Sequence, residues 1–246
     1  MGCGKRGFLT YNYGAYSEAI LLYLLGMAAE TNPLPPECWA ALDRPIYAYA
    51  GFESLRGSSI FIHQMPSGYF NFRNRRDDLG FDYWVSSENA MKIDRRFCAD
   101  RSPMRTTYAQ GFWGLNASDG PKDYVPYGAY DAREDGTVSP TGAISSIIFD
   151  PVPAIEVAQA MYQRLGAMIW GKYGFADAFN LDQNWASPDV IGIDLGMALL
   201  AIENYRSGLI WRLMDDSPVT ARAFEAASLR ITSEPEPRPL RIRGLA

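Results

Sequence analysis

Acid–base chemistry in this chain falls to carboxylates. His63 is its only histidine, and its three cysteines, Cys3, Cys38 and Cys98, are widely and irregularly spaced. A histidine-based triad, a multi-histidine zinc site and a CxxC site therefore all lack material, and Cys-His catalysis has no supporting motif. Glycosidic bond hydrolysis needs only two carboxyl groups: a protonated one to donate to the leaving oxygen, and an ionised one to activate water or attack the sugar. Glu18 suits the acid. Ser17 would cap a helix beside it, Tyr11, Tyr13 and Tyr16 flank it, and the apolar run from Ala19 to Ala29 would shield it in part from water. It could equally be a helix-start glutamate that complements the dipole. For the base, Asp194 lies between Gly192 and Gly196, which admit a ligand close to the backbone, and it can also be read as an N-cap. Asp189, Asp119, Glu88 and Glu203 are the other candidates, although Glu203 can simply pair with Arg206.

The second chemical signal is aromatic rings interleaved with short polar side chains. It occurs in Tyr173-Gly-Phe-Ala-Asp-Ala-Phe-Asn-Leu181, in Phe112-Trp-Gly-Leu-Asn-Ala-Ser-Asp-Gly-Pro121 and in Tyr124-Val-Pro-Tyr127. Burying an unpaired amide costs roughly 2–7 kcal/mol, so such stretches read as a surface for something polar and flat-faced. A sugar fits, since it presents apolar C–H faces and a rim of hydroxyls. Trp113, Tyr127, Phe175 and Trp185 are the candidate stacking surfaces, and Asp119, Asp177 and Asn180 the candidate hydroxyl partners. Core packing is the alternative for any single ring, but it accounts less well for the accompanying Asp and Asn. His63, next to Phe61 and Ile62, reads as a buried, hydrogen-bonded histidine, with a sugar-hydroxyl contact as the alternative.

Helices and long loops must position these residues. Helix signals begin at Ser17, ending before Thr31-Asn-Pro, and at Ser87; others cover 142–149, Pro153 to Ile169, Asp194 to Met214 and Pro218 to Leu229. Strand signals are sparse, and Ser58 to Gln64 reads as either strand or buried helix. The loops 66–86, 101–141 and 171–193 exceed the ~12–15 residues beyond which loops tend to be functional or disordered, and their aromatic content argues against disorder. With 246 residues, 48% of them hydrophobic, the chain can form one large domain. A net charge of −5 without a Lys/Arg stripe argues against nucleic acid. The run from Ala19 to Ala29 is too short for a membrane span. Met1-Gly-Cys-Gly-Lys-Arg6 imitates a lipidation site, but Arg6 stands where Ser or Thr is required, so an unmodified terminus is expected, as are free thiols.

Five blocks taken together, Tyr16-Ser-Glu-Ala, Gly114-Leu-Asn-Ala-Ser-Asp-Gly-Pro, Trp170-Gly-Lys-Tyr-Gly-Phe-Ala-Asp-Ala-Phe-Asn, Val190-Ile-Gly-Ile-Asp-Leu-Gly and Ile202-Glu-Asn-Tyr-Arg-Ser-Gly-Leu-Ile-Trp, closely resemble the bacterial glucoamylase-like family, from about residue 8 to 215. That family includes endo-β-1,2-glucanases and a domain of cyclic β-1,2-glucan synthases. The resemblance implies an all-α fold, an α/α toroid of the six-hairpin type over residues 1–232, followed by an extended tail at 233–246, with the three loops gathered around a glucan cleft. It implies carboxylate catalysis on a β-glucan, β-1,2-glucan first, with no cofactor and no metal. A transglycosylating module and a noncatalytic glucan-binding remnant are the alternatives. Glu18 occupies the Tyr-x-Glu-Ala position, and Gln64, Arg73, Lys172 and Tyr173 match positions that could hold sugar hydroxyls. Ser67, Tyr69 and Asn71 depart from the family's histidine, tryptophan and aspartate. Relatives carry helices upstream of the first motif, so the toroid is expected to be incomplete, with an open apolar side through which copies could self-associate. A periplasmic or cell-envelope location is implied, although no signal peptide is seen.

Overall fold

The computed structural model describes residues 14–131 and 133–232. Cys3, Tyr11, Tyr13 and the tail expected at 233–246 lie outside them. Ten α-helices occur among the described residues, about 47% of which are helical. The apolar run forms α1 (Ile20–Met27), starting later than Ser17 predicts. Ser17 Oγ accepts from Ala19 N–H at 3.2 Å inside a turn, and no side chain caps α1. Glu18 therefore sits in the turn ahead of the helix. Ile20, Leu24 and Met27 recur at i, i+4 and i+7 and are buried in one apolar cluster with Ala223 and Phe224 of the C-terminal helix.

After the single turn α2 (Glu37–Ala40), β1 (Ile46–Tyr49) and β2 (Phe52–Leu55) form an antiparallel hairpin. The ambiguous stretch at 58–64 leads into a buried helix, α3 (Phe61–Tyr69). Next, β3 (Arg75–Arg76) precedes α4 (Tyr83–Asp100), which starts a turn earlier than Ser87 predicts. Asp82 is its cap, accepting from Val85 N–H at 2.9 Å, whereas the Ser87 hydroxyl donates to Tyr83 O. Then come α5 (Thr106–Ala109), β4 (Ala117–Asp119), β5 (Tyr124–Pro126), β6 (Thr137–Val138) and α6 (Pro140–Ser145), followed by a 3₁₀ turn at Ser146–Ile148. The long helix α7 (Pro151–Ile169) leads into β7 (Trp170–Gly171), β8 (Gly174–Phe175), β9 (Phe179–Asn180) and β10 (Trp185–Ala186).

One helix is expected from Asp194 to Met214, and two occur: α8 (Gly192–Ser207) and α9 (Leu209–Asp215). Gly208, at φ 67°, adopts the left-handed conformation that ends α8. The break is pinned to α3, because Asn204 Nδ2 donates to Gly68 O, Asn204 Oδ1 accepts from Trp211 N–H, and Trp211 Nε1 donates to Ser67 O at 2.7 Å. The chain continues through α10 (Pro218–Ala226), capped by Ser217, to β11 (Arg230–Ile231).

The fold is thus mainly helical, and the all-α expectation needs one correction. The polar loops build small antiparallel ladders: β4 with β5, β7 with β8, and β6–β9–β10. Extended pairing satisfies backbone groups where Gly, Pro and aromatic residues disfavour helix. Since β6 belongs to the loop 101–141 and β9 and β10 to 171–193, these two loops form one body. The loop 66–86 is engaged elsewhere, its β3 pairing with β11.

Candidate functional site

The joined loops place a group of carboxylates at the start of α8. Asp177, between β8 and β9, is 2% exposed, and Asp194, in the first turn of α8, is 4% exposed. Asp119, the last residue of β4, donates its backbone N–H to Asp177 Oδ2 at 2.7 Å. Ser187 Oγ donates to Asp119 Oδ2 at 2.7 Å, and Asp177 N–H donates to Asp189 O at 3.0 Å. Asp177 Oδ1 and Asp194 Oδ2 are buried without a hydrogen-bond partner among the described residues. Because buried polar atoms are nearly always paired, two unpaired oxygens on carboxylates whose charges act on one another point to a functional demand.

Electrostatics follow from this burial. Burial first, then the carboxylates of Asp177 and Asp119, pushes Asp194 up to about 7. The dipole of α8 favours the charged form in its first turn, and burial outweighs it. Asp177 is raised to about 6, again chiefly by burial, with Asp119 and Asp189 adding to the rise and the Asp119 N–H opposing it. Tyr124 sits opposite Asp119 on the β4–β5 hairpin. Its phenol is raised by burial and then by Asp194, Asp177, Asp119 and Glu18, so its hydroxyl lies in a field that all four carboxylates share. Such a group of neighbouring acids can hold a proton on one member and a charge on another near neutral pH, as acid–base hydrolysis requires.

The remaining predicted residues divide by environment. The β7–β8 turn that carries Lys172 and Tyr173 approaches α8 at Gly174, where a Cβ would lie 3.9 Å from Leu195 Cδ2. Lys172 Nζ stands 5.0 Å from the centre of the Tyr173 ring, which is 66% exposed. Trp185 is half-buried on β10, opposite Asn180. Asn180 is wholly buried and saturated: its amide donates to Asp135 and Thr137, and its Oδ1 accepts from Gln183 N–H. It holds the β6–β9 join together. Phe175 is buried edge-on against Trp170, and Tyr127 is buried with its hydroxyl on Asp135 Oδ2, so both serve the core. Trp113 is buried at a cavity of about 480 Å³ between α4 and α7, whose lining includes none of the clustered carboxylates.

His63 is buried, as its apolar neighbours predict. Its Nδ1 lies 3.4 Å from both Tyr16 OH and Ser87 Oγ, and burial lowers it to about 3, so the ring is neutral. Gln64 is buried, with Nε2 donating to Gly142 O at 2.7 Å and to Ser146 Oγ. Arg73 lies with its guanidinium over both Trp84 and Trp211. Glu88 and Glu203 are in surface ion pairs with Lys92 and Arg206. Among the described residues no group of three or more His, Cys, Asp or Glu could hold a metal ion.

Sequence reasoning missed three supports of the site. Ser187 is one. Asp94 of α4 is another: its buried carboxyl, raised to about 7 by burial, accepts from Gly114 N–H and Leu115 N–H and so fixes the strand leading to Asp119. Asp182 is the third, accepting from Thr106 and Thr107 N–H at the start of α5. No sequence spacing marks any of them, although Ser187-Pro188-Asp189 has the look of an ST turn.

An exo β-1,2-glucooligosaccharide sophorohydrolase (non-reducing end) from Parabacteroides distasonis is 35% identical over 236 residues, covering 85% of this chain and 33% of that protein. The structure of an endo-β-1,2-glucanase from Chitinophaga pinensis, in complex with sophorotriose and glucose, superposes with a TM-score of 0.82 at 26% identity, over 87% of this chain and 55% of that one. A β-1,2-glucanase structure from Parabacteroides distasonis gives a TM-score of 0.85 at 23% identity, a likeness of fold alone, over 92% of this chain and 36% of that one. The chain therefore spans about a third of the curated relative and about half of the Chitinophaga structure. The Glycoamylase family profile, which describes glucoamylases, matches residues 10–218, and this chain belongs to that glucoamylase-like family.

Proposed function

We propose that the chain is a glycoside hydrolase acting on β-1,2-glucan, or the part of one that carries the acid–base carboxylates. The observation that carries this reading is the cluster of Asp119, Asp177 and Asp194, with two buried unpaired carboxylate oxygens. In this reading Glu18, in the turn ahead of α1, donates its proton to the glycosidic oxygen as the bond to the anomeric carbon breaks. Asp194, ionised above about pH 7, takes a proton from the water that attacks that carbon. Its raised proton affinity makes it a stronger base than an ordinary aspartate. Asp177 Oδ1 accepts from a glucosyl hydroxyl, while Tyr124, Lys172, Tyr173 and Trp185 contribute contacts along the sugar chain. The substrate class is supported by the names of the relatives, and the helices would form part of an α/α toroid, consistent with the share of the Chitinophaga structure that the chain covers.

The test is chromatography of the sugars released from linear β-1,2-glucooligosaccharides, with β-1,3-, β-1,4- and α-1,4-linked oligosaccharides in parallel. Release from the β-1,2 series that is abolished by Asp194→Asn is the expected result. Turnover confined to the α-1,4 series would overturn the substrate assignment, and saturable binding of β-1,2-glucan with no turnover would leave a binding module in place of a hydrolase.

A further inference from the structure

Of the carboxylates near Asp194, Asp119 is the one held by a side-chain hydroxyl. Ser187 lies just after β10 and is buried, and its own N–H donates to Ala178 O at 2.8 Å, which pins its backbone. Its oxygen accepts from Asp189 N–H at 3.0 Å and donates to Asp119 Oδ2 at 2.7 Å. A hydroxyl has one proton, and with Asp189 N–H filling an acceptor position that proton is directed at Asp119. Asp119 needs the restraint, because it is only half-buried and its side chain could otherwise turn toward solvent.

We infer that Ser187 is a positioning residue: its hydroxyl fixes the Asp119 carboxylate, and with it the negative charge that faces Asp194. The inference rests on the reading of Asp194 as the group that titrates during hydrolysis. The charges acting on Asp194 are those of Asp177 and Asp119, while Asp189 acts on Asp177, and Glu18 on the neighbouring Tyr124. Burial remains the main cause of the high proton affinity of Asp194 and is untouched by Ser187. Turning Asp119 outward removes only its share, so Asp194 would then ionise at lower pH.

The experiment is a carbon-13 NMR titration of the aspartate carboxyl groups in the whole chain, with the Asp194 signal assigned through Asp194→Asn. Ser187→Ala is expected to lower the Asp194 midpoint by roughly 0.3–1 pH unit. Ser187→Thr, which keeps the hydroxyl, restores it, and Asp119→Asn lowers it at least as far as Ser187→Ala. In the Asp119→Asn background, Ser187→Ala shifts nothing more, because it acts only through that carboxylate. An equal shift with and without the Asp119 charge would overturn the inference, as would an unmoved midpoint in folded Ser187→Ala. Should Ser187→Ala fail to fold, Asp119→Asn alone still decides, since an Asp194 midpoint indifferent to it removes the charge on which the inference depends. The titration needs no turnover. The expected shifts in a chain that hydrolyses no glucan would therefore sink the hydrolase reading and uphold the role of Ser187.

Discussion

At the scale of single residues, the site holds carboxylates where they cost stability. Asp194 is raised from an ordinary 3.8 to about 7, so the folded chain prefers it protonated. Its stabilising contribution is complete below about pH 3.8 and is lost as pH rises through 7, where the fold must carry a buried charge. Asp177 behaves alike with its upper limit near 6, and His63, lowered to about 3, has the opposite sign, favouring the fold as pH rises through 6.5. Asp194→Asn should therefore stabilise the chain by about 1–3 kcal/mol at pH 8 and change little near pH 4, read by urea denaturation at both. A variant less stable than the parent at pH 8 would show that the carboxylate is better paired than its free oxygen suggests. Glu18→Gln should barely change stability while lowering turnover of β-1,2-glucan by roughly 10²–10⁴-fold, the usual worth of general acid catalysis. An activated aryl glycoside should suffer far less, because its oxygen leaves without help; equal small losses on both substrates would remove Glu18 from the acid role. The sequence made Asp119, Asp177 and Asp194 legible because each stands among small or aromatic residues. It could not separate Asn180, Tyr127 and Phe175 from them, since a buried side chain packed or bonded within the core and a carboxylate with an unpaired oxygen leave the same local pattern.

At the scale of elements, the site depends on how tightly the loop at 112–119 is gripped. Asp94 takes two of its N–H groups, and Gly114 lies so close to α6 that a Cβ there would be 2.8 Å from Ser139 O and from Ala143 N, at a φ of 121° open to little but glycine. Gly114→Ala should cost about 2–4 kcal/mol and weaken glucan hydrolysis through the displaced Asp119, measured as a denaturation midpoint beside kcat/KM. A variant of unchanged stability would mean that the loop can move away from α6 at no cost. Helix existence was legible from apolar periodicity, and the start of α10 from Pro218, while α7 begins at Pro151, two residues before the expected Pro153. The starts of α1 and α4 were displaced by local hydrogen bonds: Ser17 is taken up in a turn and leaves α1 without a side-chain cap, and Asp82 does the capping that Ser87 seemed suited to. The break at Gly208 was open to view as a glycine, but the bonds from Asn204 and Trp211 to α3 that make it a corner cross 136 and 144 residues of sequence. Pairing of β6 with β9 is long-range in the same way, which is why two loops read separately turn out to be one body.

At the scale of the whole molecule, the apolar surface is large on one run of chain. Leu199 of α8 is 68% exposed and Leu213 of α9 60%, with Tyr205 and Leu209 also exposed between them, although α8 and α9 bury Met197, Ala201 and Trp211 on their other sides. Single exposed leucines are ordinary on a soluble protein, whereas several along one helix pair call for a covering surface. The Chitinophaga structure has a further length of chain beyond the 55% matched here. In this chain alone the expected outcome is self-association, seen in sedimentation velocity as a species whose size grows along a concentration series. Leu199→Arg with Leu213→Arg should return it to the monomer without lowering its thermal midpoint, because neither side chain contributes much to the core. Salt separates this from a charge-driven contact: an apolar interface holds or tightens as ionic strength rises, while attraction between the −5 chain and a basic patch would weaken. A monomer at every concentration, with these leucines intact, would place the covering surface within this chain's own residues.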